Sequence, residues 1–197
     1  LEKTENDINI RRKRAHLYGD IIKTAWMGSP DHKIVSTVRA VAPYLLQDYR
    51  NDATQISDTT DDKEVDADAD ADHDVSLLYE WDIIRDKEIV ISQAFTCFCL
   101  AESYIVELHR ENLTLGEDCD PDDDEGKLLV EKAGKQVIMY LNRAIAIGQK
   151  VKENWIILNS CIYLWNYFLH LFEDNVFLPA LNGLEVSMAA LQTLESE

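Results

Sequence analysis

The chain has 197 residues, of which 46% are hydrophobic and 28% are charged, and its formal net charge is −18. This length is sufficient for one sizeable core or for a run of helical repeats. Its seven glycines and four prolines are few for an all-β protein, which needs many tight turns. The acidic balance argues against a nucleic-acid-binding protein, because phosphate contacts need clustered lysine and arginine.

Most of the negative charge lies in two short segments. Residues 52–74 hold ten acids against one lysine, a local charge of −9, and residues 117–125 hold seven acids and no base. Together they carry −16, which leaves the rest of the chain near neutral at −2. Charge repulsion and a lack of large apolar side chains predict two acidic disordered loops, at 50–74 and 113–126. Any partner of these loops is expected to be a basic protein surface.

Apolar periodicity predicts a pair of N-terminal helices over residues 1–49. Pro43 lies inside the second helix and is expected to kink it or to split it in two. The apolar lines are Ile10, Arg14, Leu17, Ile21 and Ala25 in the first helix, and Ile34, Val38, Val41, Leu45 and Tyr49 in the second.

Helical spacing continues after each acidic segment. A helical segment is predicted over 75–112, with a break near Asp86, and residues 127–197 are predicted to form a helical hairpin plus a following helix. Small residues, including Ala144 and Gly148, follow one side of the first helix of this hairpin. They would let a neighbouring helix approach closely.

The second helix of the hairpin contains no formal charge from Trp155 to Phe172. At 100° per residue its side chains sort into two apolar seams and a narrow polar strip. The first seam, which we expect to form the structural core, is Trp155, Leu158, Ile162, Trp165, Leu169 and Phe172. The second seam is Ile157, Cys161, Leu164, Phe168 and Leu171, and the strip is Asn159, Asn166 and His170.

Two adjacent apolar seams favour a helix with neighbours on two sides, as in an α-solenoid. Trp165 is predicted to enter the side of the preceding helix that carries Ala144 and Gly148. The polar strip argues against a membrane-spanning helix, because lipid would leave its amides without hydrogen-bond partners. We expect the strip to cap a neighbouring backbone or to fix register, with the lining of a binding groove as the alternative. The predicted fold class is all-α, made of stacked antiparallel helical hairpins.

The sequence shows no catalytic or cofactor motif. The four cysteines lack the spacing of a zinc site. The segment "DPDDDEGKLLVE" (120–131) places acids at four positions of a calcium loop, but Glu125 stands where that loop needs glycine. We therefore expect no enzyme, no cofactor and no metal. The basic run "RRKR" (11–14) is expected to be a solvated helix face, with a nuclear-import patch or a contact for acidic tails as the alternatives.

The stretch "YLNRAIAIGQKVKENWIILNSCIYLWNYF" (140–168) resembles a helix pair in the large TPR-like cilia- and flagella-associated proteins of the axonemal central apparatus. The residues that carry this resemblance are Ala144, Ala146, Trp155, Asn159, Tyr163, Trp165 and Asn166. "LPALNGLEVSMAAL" (178–191) resembles the next helix of the same array.

The resemblance implies a TPR-like α-solenoid segment without catalytic residues. It implies a structural scaffold of a central-pair projection, located in the cytoplasm and cytoskeleton at the axoneme of a cilium or flagellum. Other central-pair projection proteins would be its partners in axoneme assembly and motility. The alternative function is a TPR-like adaptor of a non-ciliary cytoplasmic complex.

Overall fold

The computed structural model describes residues 2–27, 32–46, 84–115, 124–173 and 178–195. Within these ranges 92% of the residues are helical and none lies in a strand, which confirms the all-α class. The helices are α1 (Glu2–Met27), α2 (His32–Leu46), α3 (Lys87–Arg110), α4 (Asp124–Val151), α5 (Asn154–Glu173) and α6 (Leu181–Glu195). A 3-10 turn, Leu178–Ala180, precedes α6. The predicted loop 50–74, and residues 116–123 of the second loop, lie outside the described residues.

The helices pack in the order in which they follow one another along the chain. α1 and α2 pack against each other and against α3, and α3 packs along α4. α5 and α6 in turn pack against α4 and against each other. All of these pairs are next or next-but-one neighbours in sequence. The N-terminal pair, α1 and α2, is therefore joined to the C-terminal pair, α5 and α6, by the packing of α3 against α4.

The buried face of α1 differs from the predicted one. Ile10 and Leu17 are 42% and 56% exposed, whereas Ala15 and Ile22 are almost fully buried. The reason lies at Gly19, because a Cβ placed there would be 3.1 Å from the Cβ of Ser92 on α3. The small residues of α1 allow this close approach, and Ile10 and Leu17 of the predicted line remain exposed.

Side chains from two other helices hold the end of α2. Gln93 Nε2 donates to the carbonyl of Leu45 at 2.9 Å, and Arg143 Nη2 donates to the carbonyl of Leu46 at 3.0 Å. The last carbonyls of a helix have no partner within it, so α3 and α4 supply the missing donors. Pro43 lies inside α2, which continues through it as one helix, so the predicted split does not occur.

An ion pair joins α1 to the start of α3. Arg12 Nε lies 2.6 Å from Asp86 Oδ1, and Arg12 Nη2 donates to Oδ2 at 3.1 Å. Asp86 is only 5% exposed and immediately precedes α3. The expectation that all of 11–14 forms a solvated face is therefore wrong for Arg12, although Lys13 and Arg14 are exposed.

α3 is the central helix of the fold. It is buried on more than one side, since Val90, Cys97 and Leu100 are buried together with Phe98 and Leu108. Among the described residues α3 is the one helix long and apolar enough to span a membrane, and 67% of its apolar window is buried within the fold. Core helices of globular proteins share these properties.

The second predicted loop begins with a core residue. Leu115 is 5% exposed and packs in the same cluster as residues of α3, α4 and α5. Its Cδ2 would lie 3.5 Å from a Cβ placed on Gly134. Leu115 therefore belongs to the packed core, and α4 begins at Asp124, three residues earlier than predicted.

Candidate interaction surface

α4 and α5 form a hairpin whose turn is a Schellman motif. Lys152 has a φ of 55°, and the backbone N–H of Glu153 donates to the carbonyl of Gly148 at 2.9 Å. This bond reverses the chain within two residues after α4 ends at Val151. The carboxylate of Glu153 also pairs with Lys87 Nζ at 2.5 Å, which ties the turn to the start of α3.

The small residues of α4 receive α5, as predicted. Ala144 is fully buried, and a Cβ placed on Gly148 would lie 2.9 Å from Cγ1 of Ile157 and 3.1 Å from Cβ of Ile156. The backbones of the two helices can approach this closely because Gly148 has no side chain. The prediction that the Trp165 ring enters here is wrong, since Ile156 and Ile157 occupy the space.

The second predicted seam of α5 forms its buried face. Ile157, Leu164 and Phe168 are each at most 2% exposed, and Leu171 is 7% exposed. Leu164 reaches α6, where a Cβ on Gly183 would be 2.6 Å from its Cδ1. This face fixes α5 against α4 and α6, and we call it the inner seam.

The first predicted seam is exposed, which corrects the prediction that it forms the structural core. The exposed fractions run from 36% to 54%, and the residues are Trp155, Leu158, Ile162, Trp165 and Leu169. The side chain of Phe172 lies outside the described part of the chain. We call these five residues the outer seam. Both seams are apolar. The inner seam is the buried one because its side chains lie against Gly148 and Gly183, where neighbouring helices can approach closely.

The polar strip borders the outer seam. Asn159 and Asn166 are exposed, and the side chain of His170 lies outside the described part. The expectation that these amides cap a neighbouring backbone or fix register stays a prediction. The strip and the outer seam together form a surface of α5 that combines five apolar side chains with two amides.

A pair of stacked aromatic rings lies between α3 and α4. Tyr104 stacks on Tyr140 with ring centroids 6.2 Å apart, and the guanidinium of Arg39 lies 4.2 Å from the Tyr104 centroid. Arg39 also donates to Ser103 Oγ at 3.1 Å and pairs with Glu107 at 2.7 Å. Burial, with a further contribution from Tyr104, raises the pKa of Tyr140 to about 12. These contacts link α2 to α3 and α4, and we assign them a structural role.

Three cysteines lie in the described part of the chain, and burial raises the pKa of each thiol. Cys97 and Cys99 are fully buried, and the pKa of Cys97 rises to about 12. The pKa of Cys99 is raised by burial and by the charge of Glu102. Burial also raises the pKa of the half-buried Cys161. Thiols of this kind are weak nucleophiles, whereas catalytic cysteines have lowered pKa values. Cys119 lies outside the described residues.

Residues of the calcium-like segment do not meet around a common point where the structure describes them. Asp120 and Asp122 lie outside the described part, and Asp124 is the first residue of α4. Glu131 pairs with Lys135 at 2.7 Å, one turn along the helix, and this contact lowers its pKa. Within the described ranges no group of three or more His, Cys, Asp or Glu side chains could hold a metal ion.

No protein-family model, curated protein or solved structure matches the chain. A row of large apolar side chains in solvent is a typical feature of protein-contact surfaces. Sequence reasoning found the residues of this surface but assigned them to the core.

Proposed function

We propose that the chain is a non-catalytic scaffold segment, built as a TPR-like helical array, in a central-pair projection of a cilium or flagellum. The observation that supports the array is the order of packing. Each helix packs on its next or next-but-one neighbour in sequence, which is the contact pattern of stacked helical repeats. An array of this kind presents long helix faces to partner proteins.

The ciliary setting rests on the resemblance of residues 140–168. In the structure, this stretch forms the α4–α5 hairpin. Ala144 is buried in the core, whereas Trp155, Asn159 and Trp165 lie on the exposed face of α5. The shared pattern thus combines residues that build the hairpin with residues that are available to partners. Other projection proteins are the proposed partners, in the cytoplasm and cytoskeleton at the axoneme.

Fractionation of demembranated axonemes tests this proposal. The full-length protein, tagged at its own locus in a ciliated cell, is expected to remain with the axoneme and to be lost from axonemes without a central pair. Phe168→Ala, which removes a fully buried ring, should reduce retention, and the exposed change Gln149→Glu serves as the matched control. A tagged protein that is spread through the cytoplasm of cells without cilia would favour the non-ciliary adaptor.

A further inference from the structure

The outer seam of α5 has the spacing of a coiled-coil surface. Its five residues follow one another at intervals of three, four, three and four, from Trp155 to Leu169. This is the a/d pattern of a heptad, in which apolar side chains recur every 3.5 residues on average. A helix with an exposed a/d stripe is suited to pack along one further helix at a shallow crossing angle.

The charge around the seam restricts what can cover it. No charged residue occurs from Trp155 to Phe172, and the flanking e positions are Asn159 and Asn166. Heptad pairs of different chains are commonly selected by opposite charges at the e and g positions. A neutral seam with amides beside it provides no such selection, and it meets no like charge in a second copy of itself.

The seam also matches itself in an antiparallel arrangement. In a two-fold pair of α5 helices, Ile162 lies opposite Trp165 of the second copy, and Leu158 lies opposite Leu169. The first of these layers pairs a medium side chain with a large one, and the second pairs two leucines. The amides of Asn159 and Asn166 lie on the same edge as those of the second copy, where they can exchange hydrogen bonds. A single surface can therefore serve both sides of the contact.

We infer that the outer seam is a self-association surface, on which a second copy of this chain packs through its own α5. The exposed side chains present on the order of 500 Å² in each copy. Two copies would bury on the order of 1,000 Å², near the lower limit for a specific interface, so the dimer is weak and reversible. This inference does not depend on the proposed axonemal role.

Sedimentation equilibrium of the 197-residue chain from low to high micromolar concentration tests the inference. The wild-type chain is expected to show a reversible monomer–dimer equilibrium. Ile162→Glu places a charge at the centre of the seam and should weaken the dimer by at least about 100-fold, because the carboxylate would be buried without a partner. Ile162 is 54% exposed, so the variant should keep its fold, which circular dichroism checks. Gln149→Glu adds the same charge at an exposed position of α4 and should leave the dimer unchanged.

Salt and a second variant give independent readouts. The net charge of −18 repels two copies, and added salt screens this repulsion, so the wild-type dimer should tighten as salt rises. Trp165→Ser should weaken the dimer as Ile162→Glu does. A wild-type chain that stays monomeric throughout the concentration range would overturn the inference. A dimer that survives both seam variants, or one that salt dissociates, would also overturn it, because either result places the contact elsewhere.

Discussion

Gly148 of α4 and Ile157 of α5 lie so close together that a Cβ on the glycine would be 2.9 Å from the isoleucine Cγ1. Ile157 is 1% exposed, and the Cβ of Ile156 stands at 3.1 Å on the same side, so little space is available for adjustment. We expect Gly148→Ala to destabilise the fold by about 1–3 kcal/mol through overpacking of the hairpin. Thermal or urea unfolding measures this change.

Gly134, in the same helix, provides the matched control. A Cβ there would meet Cδ2 of Leu115 at 3.5 Å and Cε1 of Phe168 at 3.9 Å, which are ordinary contact distances. Gly134→Ala should leave stability unchanged or raise it by about 0.5–1 kcal/mol, because alanine is favoured over glycine inside a helix. Equal effects of the two changes would show that the contact at Gly148 is not close.

Lys152 directly follows α4 and has a left-handed backbone conformation, which suits glycine better than lysine. Its φ is 55°, and its side chain is exposed. Lys152→Gly should therefore raise the free energy of unfolding by up to about 1 kcal/mol, as it removes the steric cost of the Cβ. Asn112, with a φ of 56° at the end of α3, is the control, because asparagine tolerates this region and should gain less from glycine. A lower melting temperature of Lys152→Gly would contradict the assignment of the turn.

Removing one partner of the Arg12–Asp86 ion pair is expected to lower the free energy of unfolding more than removing both partners. Arg12→Ala would leave the Asp86 carboxylate, only 5% exposed, without its guanidinium, at a cost of about 3 kcal/mol in unfolding free energy. Adding Asp86→Asn to this variant should recover part of the loss. Arg14→Ala removes an exposed arginine from the same basic run and should change stability little. A similar loss of stability from Arg12→Ala and Arg14→Ala would mean that the change in net charge, and not the ion pair, causes it.

Burial of Cys97 and Tyr140 predicts a loss of stability in alkali. The pKa of the Cys97 thiol is about 12 in the folded protein against an ordinary value of 9.0, and that of Tyr140 is about 12 against 10.0. Above about pH 9 the unfolded chain has therefore lost protons that the folded chain retains, so stability falls as pH rises towards 12. Urea titrations between pH 8 and pH 11 measure the slope. Cys97→Ala and Tyr140→Phe should each reduce it, and an unchanged slope in both would contradict these assignments.

The sequence predicts the helical class and the buried faces of α2 and α4 well, and it predicts those of α1 and α5 wrongly. Val38 and Leu45 of the predicted α2 line are fully buried. The side of α4 that carries Ala144 and Gly148 is buried as expected, because the opposite face of this helix is polar. In α1 and α5, periodicity alone offers more than one apolar line. Gly19, and Gly148 on the partner helix, decide between these lines, because each allows a neighbouring helix to approach closely on one side only.

The contacts between distant parts of the chain could not be predicted. Arg12 pairs with Asp86, and Gln93 and Arg143 hold the end of α2, although nothing in the local sequence relates these residues. Each is a polar side chain whose partner is set by the packing of several helices. The exposed surface of α5 was missed for the same reason, since burial depends on neighbours that periodicity does not specify.

We assign a buried face and an exposed face to α5, and Phe168 and Trp165 test this assignment most directly. Phe168 is 1% exposed and Trp165 is 52% exposed, although they lie three residues apart in one uncharged helix. Thermal unfolding of Phe168→Ala and Trp165→Ala should be compared at low micromolar concentration, where the monomer prevails. We predict a loss of about 3–5 kcal/mol for Phe168→Ala, which lowers the melting temperature by on the order of 10 °C. For Trp165→Ala we predict a loss below about 1 kcal/mol. A large loss from Trp165→Ala, with Phe168→Ala tolerated, would contradict the account.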